Sequence, residues 1–248
     1  MKKLLALVLT LAMTLSFTAA LADTLTMATN ASFPPYEYYE GEEVVGIDVD
    51  ICAAIAEKLG MEFEVADMDF DAIIGAVQSG KADVGMAGMT VTEERQMMIN
   101  FSSSYATGIQ SVIVKEDSAI TSVDDLFAEG ASTKIGVQLS TTGDLYSTWD
   151  LEDAGLATIN RYPNGNDATM ALLADKVDCV IIDNEPAKAY VAANPGLKVL
   201  ETAYAVEEYA ACIAKNNTEL LEKFDAALVE LINDGTVASI IGKYIKAE

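Results

Sequence analysis

The sequence has no histidine and only two arginines, Arg95 and Arg161. The commonest general base and the commonest zinc ligand are therefore both missing, and any catalysis would fall to carboxylates, lysine or tyrosine. Basic charge is scarce as well, with 15 Lys and Arg against 39 Asp and Glu for a net charge of −24. A surface of that sign repels phosphate backbones, which sets nucleic acid aside as a partner. The three cysteines, Cys52, Cys179 and Cys212, each lie in an apolar stretch and none has a CxxC spacing. They read as buried free thiols, with a bridge between two of them left open. These absences leave no expected metal site and no cofactor.

Long apolar runs are equally few. The run from Leu4 to Met13 follows Lys2 and Lys3 and precedes Ala20-Leu21-Ala22, which is the order of a signal peptide with its small-x-small cleavage site. It is shorter than the roughly 20 residues a membrane span needs. A signal peptide over residues 1–22, cleaved near Ala22, is expected, and with it a soluble mature chain in the periplasm.

What is present is an alternation of short β-branched or apolar runs with helical patterns, the rhythm of βαβ units and of an α/β fold with mostly parallel sheets. Strands are predicted at about 24–29, 61–66, 83–87, 109–114, 134–138, 178–182, 198–200 and 209–214. Helices are predicted at about 48–60, 70–80, 92–98, 122–128, 142–154, 166–175, 184–193, 217–233 and 236–245. One unit has an echo. The stretch Asp71 to Val84 runs helix, Lys-x-Asp, strand, and Asn166 to Cys179 repeats that order. Either two similar lobes or a chance likeness of two amphipathic units produces it. The echo places Gly88 and Asp183 at equivalent points just past a strand's carboxyl end, where open α/β sheets bind ligands.

Several residues near such points suit a small zwitterion. The run Gly88-Met89-Thr90-Val91-Thr92-Glu93-Glu94-Arg95 follows a strand and opens a helix, with Thr90 and Glu93 at capping-box spacing. A helix start with an arginine on its first turns can hold a carboxylate; a plain capped helix with a surface arginine fits the same residues. Gln138-Leu139-Ser140-Thr141-Thr142-Gly143 is a second strand-to-helix turn, with backbone donors or an ordinary N-cap. Asp183 emerges from the apolar strand Cys179 to Ile182, either to meet a ligand ammonium or to cap the helix that Pro186 helps to start. Phe33, Tyr36 and Phe70 are loop aromatics at strand ends, suited to walls of a small-ligand pocket or to the core.

Taken in order and spacing, these segments resemble the polar amino-acid family of periplasmic solute-binding proteins that feed ATP-driven importers. The resemblance runs through Phe33-Pro34-Pro35-Tyr36-Glu37-Tyr38, Gly46-Ile47-Asp48-Val49-Asp50, Phe70-Asp71-Ala72-Ile73-Ile74, Ala87 to Arg95, Asp124-Asp125-Leu126, Gly136-Val137-Gln138, Thr141-Thr142-Gly143 and Val177 to Asp183, nearly the whole mature chain. It implies a type II two-lobed periplasmic-binding-protein-like fold, helices on both faces of its sheets, with two hinge crossovers. Lobe 1 would hold residues 23–108 plus 209–248, and lobe 2 residues 109–208. It further implies that Arg95 clamps an amino acid's α-carboxylate with the backbone N–H groups of Thr90 and Thr142. The Gly88 carbonyl, the Thr90 hydroxyl and Asp183 would hold the α-ammonium, with Phe33 and Phe70 around the side chain and Ala87 beside Gly88. Asn30 and Gln138, both neutral, stand where members of the family select the side chain, so a polar neutral amino acid such as glutamine is expected. Membrane permease subunits would be the partners of a monomer. Ser140 departs from the pattern, since a glycine often precedes the two threonines there. The alternative is a dehydratase-like enzyme on a small carboxylic acid, which needs a general acid or base in the cleft.

Overall fold

A computed structural model describes residues 23–246, so the signal peptide expected over residues 1–22 lies outside the described residues. The chain opens with β1 (Thr24–Thr29), β2 (Ser32–Phe33), β3 (Glu37–Glu40), β4 (Glu43–Val45), α1 (Ile47–Leu59), β5 (Glu62–Asp67), α2 (Phe70–Gln78), β6 (Val84–Gly85) and α3 (Glu93–Met98). It continues through β7 (Ile99–Lys115), β8 (Thr133–Gln138), α4 (Thr142–Ser147), β9 (Ala157–Tyr162), α5 (Gly165–Leu173), β10 (Cys179–Asp183), α6 (Asn184–Ala193), β11 (Leu197–Val199) and β12 (Ala205–Ala214). Helices α7 (Thr218–Asn233) and α8 (Thr236–Tyr244) end it.

The strands build two lobes of one two-lobed, periplasmic-binding-protein-like α/β fold. In the first, β5, β1 and β6 are parallel, and β12 and β7 follow antiparallel. In the second, β10 lies antiparallel on β7, and β8 and β9 extend it in parallel, with β11 also on β7. Helix α1 buries Ile47, Ile51, Cys52, Ile55 and Ala56, a stripe at helical spacing that faces the sheet and α7. Helix α2 covers the opposite face, where Ile73, Ala76 and Val77 meet Ala28 and Cys212. The second lobe is similarly two-sided: Ala168 and Leu172 of α5 pack on one face, and Val112, Val114, Leu126, Ile135 and Ile181 form a core on the other. All three cysteines are buried and free.

Two strands cross between the lobes. The expected strand at 109–114 is the far end of β7, which runs 17 residues through both lobes, and β12 pairs along it from Ala205 to Ala214. The half of β7 before Ile109, Asn100 to Gly108, is mostly polar or small apart from Phe101 and Tyr105 and carries no regular alternation; pairing with β12 makes it a strand. Register shifts at Tyr209/Ala210 and Ala210/Cys212 let β12 bend as it crosses. Four more strands depart from the expected pattern. β2, β3 and β4 form a small antiparallel sheet in a segment dense in Pro, Glu and Tyr, and β9 is a sheet edge that fully buries only Ile159. The helix expected at 142–154 is α4 followed by a π-helical turn, Thr148–Glu152, and that at 122–128 is a 3-10 turn, Val123–Phe127.

Candidate functional site

Helix α3 begins with Thr92, whose side chain accepts the Arg95 backbone N–H at 3.1 Å. The cap is thus Thr92 rather than the expected Thr90, which leaves the Thr90 side chain free to face the cleft. Arg95 is only 5% exposed. Its Nη1 donates to the Thr90 carbonyl at 2.8 Å and its Nη2 crosses to the Ser140 carbonyl at 3.0 Å, while its guanidinium lies 5.4 Å from the centre of the Phe70 ring. The other arginine, Arg161, is paired with Asp144 and Glu152; Arg95 has no carboxylate partner among the described residues. Burial pulls the Arg95 pKa down and the charge of Glu207 opposes that pull. A buried cation held only by carbonyls is costly unless an anion joins it.

Below Arg95 the first lobe contributes a tight turn. Gly88 has φ +53, and a Cβ there would lie 2.8 Å from Phe33 Cε1, so both the backbone and the space call for glycine. Its amide donates to Asp48 Oδ2 at 2.8 Å. Thr90 Oγ1 donates to Glu207 Oε2 at 3.1 Å and lies 3.4 Å from Thr142 Oγ1 in the second lobe. Phe33 stacks on Tyr36 with centroids 5.7 Å apart, and Tyr36 meets the Tyr209 ring edge-on.

From the second lobe, the end of β8 supplies Gln138, whose Nε2 donates to Asn30 Oδ1 at 2.9 Å; Asn30 Nδ2 in turn donates to the Met68 carbonyl. The turn into α4 puts Ser140 at φ +64, held by its amide on Asp144 Oδ2. Asp183, 1% exposed at the end of β10, is the cap of α6 and also lines the cleft. Its Oδ1 accepts the Glu185 N–H that starts α6, and its Oδ2, beside the cleft, accepts Tyr209 OH at 2.8 Å and Ile109 N–H at 2.9 Å. Burial raises its pKa to about 6, against those three bonds.

All ten residues expected to bind ligand line a single cleft between the lobes: Asn30, Phe33, Phe70, Ala87, Gly88, Thr90, Arg95, Gln138, Thr142 and Asp183. The space is about 400 Å3, part of it open to solvent. Glu37, Gln110, Thr141, Ile182 and Tyr209 complete its lining. Glu207, buried behind it, accepts from Gln110 Nε2 at 3.0 Å as well as from Thr90. Gln110, Glu207 and Tyr209 lie on the crossing strands and carry no local motif, whereas Glu37 stands in plain view in Phe33 to Tyr38. No cluster of three or more Cys, Asp or Glu suited to a metal occurs among the described residues.

The profile of the bacterial extracellular solute-binding proteins, family 3, matches residues 25–247. The arginine-binding extracellular protein ArtP of Bacillus subtilis is 34% identical over 90% of this chain and 87% of its own. An L-arginine-binding protein of Pseudomonas aeruginosa is 28% identical over 86% and 85%. Among solved structures, an ancestral arginine-binding protein bound to arginine superposes with a TM-score of 0.84 at 40% identity, covering 91% of this chain and 99% of that one. An ancestral arginine-binding protein bound to glutamine gives 0.82 at 40% identity, covering 90% and 98%. These relatives are binding proteins rather than enzymes, and the alignment extends over both lobes and the cleft between them. The chain belongs to the bacterial extracellular solute-binding proteins of family 3.

Proposed function

We propose that the protein captures a free amino acid between its lobes outside the cytoplasm, in the periplasm, and delivers it as a monomer to the permease subunits of an ATP-driven importer. The observation that carries this reading is Arg95, a buried guanidinium in the cleft with no carboxylate partner among the described residues. A ligand α-carboxylate would complete it, with the Thr90 and Thr142 amides as further donors. Asp183, the Thr90 hydroxyl and the Gly88 carbonyl would take the ammonium. These groups come from both lobes, divided at about 108/109 and 208/209. A bound ligand therefore favours the closed arrangement over an open one, which is the differential affinity a closure needs.

For the side chain, a basic amino acid, arginine first, is the better supported ligand. Three buried carboxyl groups, Asp48, Asp183 and Glu207, lie in or beside the cleft against the single guanidinium of Arg95, and a cationic ligand lessens that excess. The named relatives that bind arginine point the same way. Glutamine remains the second reading, favoured by the neutral Asn30–Gln138 pair and by the ancestral arginine-binding protein solved with glutamine bound. Calorimetric titration with arginine, lysine, histidine and glutamine separates them. Arginine is expected to bind at least tenfold tighter than glutamine, a difference of about 1.4 kcal/mol. Tighter glutamine binding would replace arginine with the neutral ligand, and no heat with any of them would overturn the reading.

A further inference from the structure

One pair of carboxyl groups beside the cleft has three oxygens that meet no donor among the described protein groups. Glu37 on β3 lines the cleft and is buried, and neither of its oxygens meets a donor among the described protein groups. Asp48, on the first turn of α1, is wholly buried. Its Oδ2 accepts Gly88 N–H at 2.8 Å and Tyr105 OH at 2.7 Å, while its Oδ1 likewise meets no donor. The Asp48 backbone N–H donates to the carbonyl of Tyr36, the residue before Glu37, at 3.0 Å, so the two carboxyl groups lie beside one another with oxygens that meet no donor. Such a pair can hydrogen-bond only with a proton between its members. The other titratable groups facing Glu37 are Asp183 across the cleft, Asp67 at the end of β5, and the phenols of Tyr36, Tyr105 and Tyr190. Ionised, each of them would disfavour a second negative charge on Glu37. Asp48 holds two strong donors and a helix N-terminus, so it is the member that keeps the charge.

We propose that Glu37 and Asp48 share one proton at neutral pH, Glu37 donating to Asp48 Oδ1, and that the pair positions Gly88 for the ligand by fixing its amide on Asp48 Oδ2. Glu37 is thus a neutral acid in the cleft wall, and Asp183 is left as the carboxylate opposite Arg95. Burial and the neighbouring acids push Glu37 well above the usual carboxylate range, in keeping with this. The assignment to Gly88 rests on the ligand reading above, whereas the shared proton does not.

Two measurements test it. Difference infrared spectra at pH 7 of the ligand-free protein and of Glu37→Gln should differ by the carbonyl stretch of a protonated carboxylic acid, present in the wild type and absent in the variant. No such band, or one that persists in Glu37→Gln, overturns the proposal whether or not an amino acid binds. The amide of Glu37→Gln still donates to Asp48, so this variant should hold arginine at least threefold more tightly than Glu37→Ala does, a shift of about 0.7 kcal/mol. Glu37→Ala removes the donor and should weaken binding at least tenfold; equal affinities for Glu37→Ala and wild type would remove the positioning role. If the infrared band is present and no amino acid binds even the wild type, the ligand reading falls and the positioning claim with it, while the shared proton stands.

Discussion

Of the two arginines, Arg161 sits at the surface between Asp144 and Glu152, and Arg95 sits inside with carbonyls alone. That contrast makes Arg95→Ala the sharpest single substitution. If a ligand carboxylate completes the guanidinium, its removal should cost roughly 3–5 kcal/mol of binding, or two to three decades of affinity and more. Calorimetry on the folded variant reads this directly, and unchanged affinity would remove Arg95 from the site. Ser140 makes the converse case. It holds a left-handed conformation that costs a residue with a side chain roughly 1–2 kcal/mol, part of which glycine loses again through backbone entropy. Ser140→Gly should therefore leave ligand affinity unchanged and raise unfolding free energy by about 0–1 kcal/mol in urea. A loss of binding would mean that the turn owes its geometry to the serine hydroxyl. Individual cleft-lining residues were legible in the sequence because each follows a strand with a small-residue turn or an emergent charge. Glu207 was not, since nothing local marks it; it acquires its meaning only when β12 places it against Thr90 and Gln110.

At the scale of elements, the turn after β6 and the crossing strands set the cleft's shape together. Gly108 sits opposite Glu207 in the β7–β12 ladder, and a Cβ there would lie 2.3 Å from the Tyr209 ring, so its bareness lets Tyr209 reach Asp183. Gly88 bares the other side for Phe33. Gly88→Ala should cost roughly 1–3 kcal/mol of stability through its positive φ and the overpacked ring. Ligand binding should weaken as the turn shifts; a variant with wild-type melting and affinity would show the turn to be adaptable. Most helices were legible from periodicity because their apolar stripes face a sheet, as in α1 and α7. The misses share a physical cause. β2 to β4 sit in a charged, proline-bearing segment, and the first half of β7 is held by pairing with β12, which comes from far along the chain. The capping residue of α3 was misplaced by two positions, since Thr90 and Thr92 both precede an acidic first turn and only the backbone path selects Thr92.

For the molecule as a whole, proton binding and the proposed ligand binding meet at Asp183. Its folded pKa of about 6 lies above the ordinary aspartate value, so the folded state holds a proton there that the unfolded chain releases. The stability from that proton is fully present below about pH 4 and is lost as pH rises through about 6, amounting to about 3 kcal/mol. Asp183→Asn, which cannot titrate, should lack this component. The wild-type-minus-variant difference in urea unfolding should then fall between pH 4 and pH 7, and a flat difference would place the charge elsewhere. A ligand ammonium prefers the ionised carboxylate, so wild-type affinity should rise over the same interval. The two-lobed architecture was readable from the strand and helix rhythm, the internal echo and the family resemblance. Which groups would hold a ligand from both sides depended on bonds between lobes, such as Arg95 to Ser140 and Gln138 to Asn30, which no local pattern encodes.

The most direct test of amino-acid capture is the melting temperature of the mature, ligand-stripped protein against the twenty amino acids, with sugars and dicarboxylates as controls. A ligand present at a hundredfold its dissociation constant adds about 2.7 kcal/mol of stability. One or a few amino acids, arginine foremost, should raise the melt while the controls leave it unmoved. A protein that responds to none of the twenty would contradict the central claim.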